Sequence, residues 1–211
     1  MTKQKHLLLA LAILLTTATI TIALLWWLRG GTPQPEAAPP SNDTVTTTVD
    51  TPSEARPADT YSVSDGQPLS VTIASAGIKG YIQKVGIDQY KAVAAPNNIH
   101  MAGWFVDSVL PGQKGLSIID GHEGGPTMDG IFKRLPDVKP GDKVIVTMGG
   151  GTTHTYTVFD VKVVDKDQAA AILFDQSPTA TNGQLNLITC TGTYNDREQT
   201  YDKRAVVYAG L

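Results

Sequence analysis

Hydrophobic and polar residues alternate with a period of two along much of the chain beyond residue 69, a pattern typical of half-buried β-strands. The strands are predicted at residues 69–74, 78–86, 116–119, 143–147, 153–164, 185–189 and 204–209. Gly149-Gly150-Gly151 lies between two of them and predicts a hairpin. Helical signal is limited to one turn over residues 130–135 and a short helix over 169–174, with Asp167 placed to cap it. Seven or eight short strands with little helix predict an all-β sandwich or a closed barrel, and periodicity does not choose between them.

The N-terminal part of the chain has a different pattern, an uncharged apolar run over residues 7–28. A run of about 20 such residues is long enough to cross a bilayer as a helix. Lys3 and Lys5 precede it, which favours a cytoplasmic N-terminus, and Trp26 and Trp27 fall at the outer interface. The run exceeds the length of a signal-peptide core and no A-x-A site follows it, so we expect an uncleaved membrane anchor.

The composition then divides the chain into three parts. Residues 1–29 are the cytoplasmic flank and the anchor, and residues 30–68 are rich in Pro, Thr, Ser and acidic residues. Because such a segment has little apolar surface to bury, it is predicted to be a disordered tether. Residues 69–211 carry the core-forming side chains and are expected to be one domain. The expected location is the cell membrane, with a single span and this domain outside the cell.

Charge and metal-binding residues exclude several classes of function. The formal net charge is −3, so no broad basic surface suggests a nucleic-acid partner. A single cysteine excludes an internal disulfide, and the four histidines show no metal-ligand spacing. We therefore predict no metal and no cofactor.

Three residues at predicted strand ends are candidates for chemistry. Cys190 follows strand 185–189, and in an oxidising compartment an unpaired thiol is a candidate nucleophile. His122 lies among glycines after strand 116–119, where a general acid or base would be accessible. Arg204 opens the last strand, and a guanidinium suits a developing oxyanion. The alternatives are a buried thiol without a role and an ordinary surface charge.

The order of three motifs resembles the signature of the sortase family. These motifs are Gly121-His122, Leu187-Ile188-Thr189-Cys190, and the closing strand from Arg204 to Ala209. The likeness extends over nearly all of residues 69–211 and is greatest to class E and class F sortases. It implies a closed eight-stranded β-barrel with one or two short helices, preceded by a single transmembrane helix.

The resemblance also implies an activity, that of a cysteine transpeptidase. Cys190 would attack the Thr–Gly bond of an LPxTG-like sorting motif near the C-terminus of a surface protein. His122 would protonate the leaving glycine amine and then deprotonate the incoming amine, which a peptidoglycan precursor or a pilin supplies. Arg204 would position the motif and stabilise the oxyanion, and Thr189 would contact the substrate. The chain departs from the family at Asp120, where a small residue is more frequent.

Two other classes of protein share parts of this description. One is an exported Cys/His cell-wall hydrolase or an L,D-transpeptidase-like acyl transferase. Papain-like wall hydrolases place the cysteine before the histidine, and L,D-transpeptidases have an S-x-G-C context, so both differ from this chain. The other is a non-catalytic, membrane-tethered β adhesion module, which has no need for His122, Cys190 and Arg204 together.

Overall fold

Nine strands are present in the part of the chain that the computed structural model describes, which is residues 42–47 and 51–211. They are β1 Val45–Thr46, β2 Pro68–Ile73, β3 Ile78–Val85, β4 Ala102–Phe105, β5 Leu116–Gly121, β6 Lys143–Met148, β7 Thr153–Asp165, β8 Gln184–Asn195 and β9 Thr200–Gly210. Strands β2 to β9 form a barrel in the order β3-β2-β6-β7-β9-β8-β5-β4, and pairing of β4 with β3 closes it. The predicted closed eight-stranded barrel is confirmed.

The ring closes because β3 changes partner along its length. Its first half pairs antiparallel with β2, and its second half, from Ile82 to Val85, pairs parallel with β4. The short β1 pairs with Lys84 and Val85. β4 was not predicted, because all four of its residues are buried and therefore show no alternation.

Two apolar clusters lie on opposite faces of the sheet. The larger one fills the barrel and includes Ile119 of β5, Leu187 of β8 and Val207 of β9. The smaller one lies on the outer face, where Ile118, Ile188 and Val206 of the same three strands pack against residues of the helix described next. Strands β5, β8 and β9 are therefore buried on both faces over part of their length.

Across residues 42–47 and 51–211, helical structure is limited to short segments. In this part of the chain, the α-helix α1 Ala169–Leu173 confirms the helix predicted over residues 169–174, and 3-10 turns lie at Ala74–Ala76, Leu135–Asp137 and Lys166–Gln168. The predicted cap is wrong: Asp167 lies within the 3-10 turn, its carboxylate accepts a hydrogen bond from Lys166, and α1 begins after Gln168 without a side-chain cap.

The predicted tether differs from what the structure shows at its C-terminal end. Residues 51–67 contact the barrel, although their composition predicts a segment without packing. Ser53 exchanges backbone hydrogen bonds with Asn97 and Ile99, and the Tyr61 hydroxyl donates to the carbonyl of Ile82 at 2.8 Å. Hydrogen bonds to β3 and to the loop at residues 97–99 hold this segment, which has few apolar side chains to bury. Such bonds leave no periodic pattern in the sequence.

The predicted anchor, residues 7–28, lies outside the described residues. Among those that are described, no helix is both long enough and apolar enough to cross a membrane.

Candidate active site

Cys190 lies where strand β8 leaves the barrel. Residues 184–189 are buried, Cys190 and Thr191 are partly buried, and residues 192–195 are exposed. The thiol is therefore inside the strand, and the prediction that the strand ends at residue 189 is wrong. The strand continues because it pairs with β9 as far as Asn195, with an irregularity between Thr191 and Tyr194.

Arg204 is the direct partner of Cys190 across the antiparallel pair β8–β9. It lies inside β9, which starts at Thr200, and does not open the strand as predicted. Its guanidinium turns back along the strand: Nη1 donates to the carbonyls of Tyr201 and Lys203, both at 2.9 Å, and Nη2 donates to the Thr200 hydroxyl at 3.0 Å. These bonds fix the side chain in a single direction.

His122 is the first residue after β5 and is partly buried. Its Nε2 lies 2.6 Å from the carbonyl oxygen of Pro96, and because a carbonyl only accepts, Nε2 carries the proton. Two glycines make room for this loop. A Cβ on Gly121 would lie 2.4 Å from the ring of Phe132, and one on Gly130 would lie 2.3 Å from the carbonyl oxygen of His122. The glycine setting thus permits close packing of the loop.

The strand order brings the three candidates to neighbouring elements. β5 and β8 run parallel with Asp120 opposite Ile188, and the Thr189 hydroxyl donates to the carbonyl of Gly121, so the chain carries on to His122 directly after the strand next to Cys190. Cys190 in turn is opposite Arg204. Because side chains alternate between the faces of a sheet, Cys190 and Arg204 share the outer face with Ile188 and Val206. The sequence motifs, far apart in the chain, are adjacent in the fold.

Thr189 points the other way, into the barrel, and is fully buried. Its hydroxyl donates to the carbonyl of Gly121 at 2.7 Å and so ties the Cys190 strand to the residue before His122. This contact could not be read from the sequence. The substrate contact that the resemblance implies for Thr189 stays a prediction.

Asp120 is an acidic residue near the end of β5, two positions before His122. Burial raises the pKa of its carboxyl to about 6, opposed by the nearby charges of His122 and Arg204 and by the backbone N–H of Gly121. Burial also raises the pKa of the Cys190 thiol to about 11; Arg204 acts against this shift, and Asp120 and Glu123 add to it. The resting thiol is therefore protonated near neutral pH.

Glu123 forms a polar cluster next to His122 that the sequence did not reveal. It is a buried carboxylate, and it accepts hydrogen bonds from the Tyr201 hydroxyl and from Lys133. The partners are 78 and 10 residues away in sequence, so no local pattern indicates them. Over residues 42–47 and 51–211, no group of three or more His, Cys, Asp or Glu side chains is arranged to hold a metal ion.

Comparisons with known proteins agree with this geometry. The family description "Sortase domain" matches residues 71–211. Among solved structures, a lid mutant of sortase A from Corynebacterium diphtheriae is 26% identical with a TM-score of 0.51, covering 70% of this chain and 70% of that chain. A sortase from Actinomyces oris is 20% identical with a TM-score of 0.50, covering 78% of this chain and 87% of that one. Comparison with curated protein sequences gives no significant match.

The family match assigns this closed barrel, with Cys190 and Arg204 paired on adjacent strands, to the cysteine transpeptidases. The chain belongs to the sortase family. The particular resemblance to class E and class F stays a prediction, because the comparisons support membership of the family and not a class within it.

Proposed function

We propose that this sortase cleaves the Thr–Gly bond of an LPxTG-like sorting motif and transfers the upstream protein to an amine. The observation that supports this most strongly is the pairing of Cys190 with Arg204 across β8 and β9, with His122 directly after the neighbouring strand β5. It combines a nucleophile, a proton carrier and a fixed cation at one place on the outer face.

Cys190 is the proposed nucleophile. Its thiolate attacks the threonine carbonyl carbon, the carbonyl electrons move to oxygen, and collapse of the tetrahedral intermediate breaks the C–N bond to glycine. The product is a thioester on Cys190. Because burial raises the pKa of the thiol to about 11, transfer of its proton to His122 is needed for rapid reaction near neutral pH.

His122 is the proposed general acid and base. It gives its proton to the departing glycine amine and later takes one from the incoming amine, whose nitrogen attacks the thioester and releases the thiolate. The hydrogen bond from Nε2 to Pro96 leaves Nδ1 as the nitrogen that exchanges this proton.

Arg204 is the proposed partner of the oxyanion and of the motif backbone. Its contacts with Thr200, Tyr201 and Lys203 hold the guanidinium in place before the substrate arrives, so little reorganisation is needed in the transition state. Backbone N–H groups near Cys190 would complete the oxyanion site.

The cellular setting belongs to the same proposal. Residues 7–28 would anchor the chain in the cell membrane with the N-terminus in the cytoplasm, and the barrel would act outside. The partners would be surface proteins that carry a C-terminal sorting motif, with a peptidoglycan-precursor or pilin amine as acceptor.

The test is cleavage of fluorogenic peptides that contain LPxTG-like or LAxTG-like motifs. The wild-type chain should release the fluorophore, and Cys190→Ala should abolish turnover. His122→Ala and Arg204→Ala should each lower kcat by about 100-fold or more while circular dichroism shows an unchanged fold. Normal cleavage by the Cys190→Ala variant would remove the mechanism, and unchanged activity of all three variants would favour the adhesion module.

A further inference from the structure

We propose that Glu123 and Tyr201 act as a positioning pair that ties the loop bearing His122 to the strand bearing Arg204. This inference rests on the proposed function, since it concerns the alignment of that reaction's two assisting groups. Neither residue belongs to the three motifs that identify the family in this chain.

The pair is a direct contact between the loop after β5 and strand β9, and β8 lies between β5 and β9 in the sheet. Glu123 follows His122 in the chain, and the Tyr201 hydroxyl of β9 donates to its Oε2. Lys133 donates to the other oxygen, Oε1, and so balances the charge of a side chain that is buried. A buried carboxylate with both oxygens bonded has a well-defined position.

The contact continues from Tyr201 to Arg204 through the backbone. Arg204 Nη1 donates to the Tyr201 carbonyl at 2.9 Å. On the other side, the carbonyls of His122 and Glu123 accept from Phe132 at 2.9 Å and Gly130 at 2.8 Å. A continuous series of bonds therefore joins the histidine loop to the guanidinium, passing through the carboxylate of Glu123 and the phenol of Tyr201.

The hairpin that carries Tyr201 needs such a bond because it has little apolar support. Residues 192–199 are exposed, and beyond the barrel β8 and β9 mainly contact each other. The ring of Tyr201 packs edge-on against Tyr194 with centroids 5.2 Å apart, but Tyr194 lies in the same hairpin and cannot anchor it to the barrel. Two contacts reach the hairpin from outside: Lys166 pairs with the exposed Glu198 at 3.4 Å, and the buried Glu123 accepts from Tyr201 on the side of the histidine loop.

A purely structural role predicts a different result from a positioning role. If the pair only stabilises the fold, breaking it lowers the melting temperature and leaves the kinetics of the folded enzyme unchanged. If it aligns His122 with Arg204, breaking it lowers kcat at a temperature where the variant is fully folded. KM should change little, because neither side chain of the pair is proposed to contact the peptide.

The experiment compares two matched variants of the full chain with a cleavable sorting-motif peptide. Tyr201→Phe removes the hydroxyl that donates to Glu123. The control, Tyr194→Phe, removes the hydroxyl of the neighbouring ring that packs against Tyr201. We expect kcat to fall about tenfold for Tyr201→Phe and to stay near wild type for Tyr194→Phe. Glu123→Gln, which keeps an acceptor oxygen, should retain more activity than Glu123→Ala.

A second measurement is independent of turnover. Hydrogen exchange of the Gly130 and Phe132 amides, followed by NMR, should accelerate in Tyr201→Phe and not in Tyr194→Phe. If the wild type cleaves the peptide and Tyr201→Phe has the same kcat, the inference is overturned and the proposed function stands. A wild-type chain that cleaves no sorting-motif peptide overturns both.

Discussion

Burial and two carboxylates together raise the pKa of the Cys190 thiol, and Arg204 opposes them. The thiol is partly buried beside two carboxylates, Asp120 and Glu123, and both disfavour the thiolate, while only Arg204 favours it. A reactive cysteine with a raised pKa depends on its proton acceptor more than one that rests as a thiolate. The rate of the proposed reaction therefore depends on the orientation of His122 and on the residues that hold it.

Asp120→Asn should stabilise the protein in a pH-dependent way. In the unfolded chain the carboxyl ionises above its ordinary value of 3.8, but burial raises the folded-state pKa to about 6. The folded state therefore binds more protons between these values, and the contribution of Asp120 to stability falls as pH rises from 4 to 6. At pH 8 the variant should be more stable by about 1–3 kcal/mol.

Thermal or denaturant unfolding at pH 4 and pH 8 measures this difference. The gain should be much smaller at pH 4, where the carboxyl is neutral in the folded state and partly protonated in the unfolded state. A stability difference that is the same at both pH values would contradict the assignment of the raised pKa to Asp120.

Thr189→Val should weaken the junction between β5 and β8. The substitution removes the hydroxyl that donates to Gly121 and leaves the shape of the side chain nearly unchanged. We expect a loss of about 1–2 kcal/mol in the free energy of unfolding. Thr189→Ser, which keeps the donor, is the control, and equal losses for the two variants would mean that packing of the methyl group, not the hydrogen bond, matters at this position.

At the scale of elements, the sequence predicts the barrel better than it predicts the ends of the strands around the site. The alternation that identifies β8 stops at Thr189, because residues beyond it leave the core and become polar. Pairing with β9 nevertheless extends β8 to Asn195, because hydrogen bonds between backbone groups form whether the side chains are polar or apolar. His122, Cys190 and Arg204 could be chosen as candidates because each lies in a recognisable motif. The pairing of Glu123 with Tyr201 could not be predicted, because the two residues are 78 positions apart in the chain.

The segment before the barrel supports the histidine loop from outside. The Glu54 carboxylate accepts from the backbone N–H groups of Thr127 and Met128 at 2.9 Å and 3.2 Å, and from the Thr127 hydroxyl. These residues lie in the loop between His122 and Phe132. A segment predicted to be a tether thus contacts the loop that carries a proposed catalytic group.

Glu54→Ala should free that loop locally. Hydrogen exchange of the Thr127 and Met128 amides is expected to accelerate at neutral pH, with Glu198→Ala, an exposed carboxylate in the β8–β9 hairpin, as the control. The hydrogen bonds to Thr127 lower the pKa of Glu54 below its ordinary value of 4.5, so the carboxylate stabilises the fold above that value. The difference between variant and wild type should shrink as pH falls through the folded-state pKa. Equal exchange in both variants at pH 7 would show that Glu54 does not hold the loop.

At the scale of the whole molecule, one barrel brings together groups that lie far apart in the chain. Antiparallel pairing of β8 with β9 sets Cys190 opposite Arg204, and parallel pairing of β5 with β8 puts His122 directly after the strand on the other side of β8. The family assignment then supplies the reaction class, transpeptidation through a cysteine. Composition could not have supplied either, because it contains no information on which strands become neighbours.

The central claim is that Cys190 forms a thioester with the threonine of a sorting motif, and intact-mass spectrometry tests it directly. The full chain is mixed with an LPxTG-like peptide without an added amine, and the reaction is quenched in acid. The wild type should gain the mass of the peptide up to its threonine, located on Cys190 by fragmentation and lost on addition of hydroxylamine. Peptide cleavage that proceeds without any adduct on Cys190, and equally in Cys190→Ala, would contradict the account.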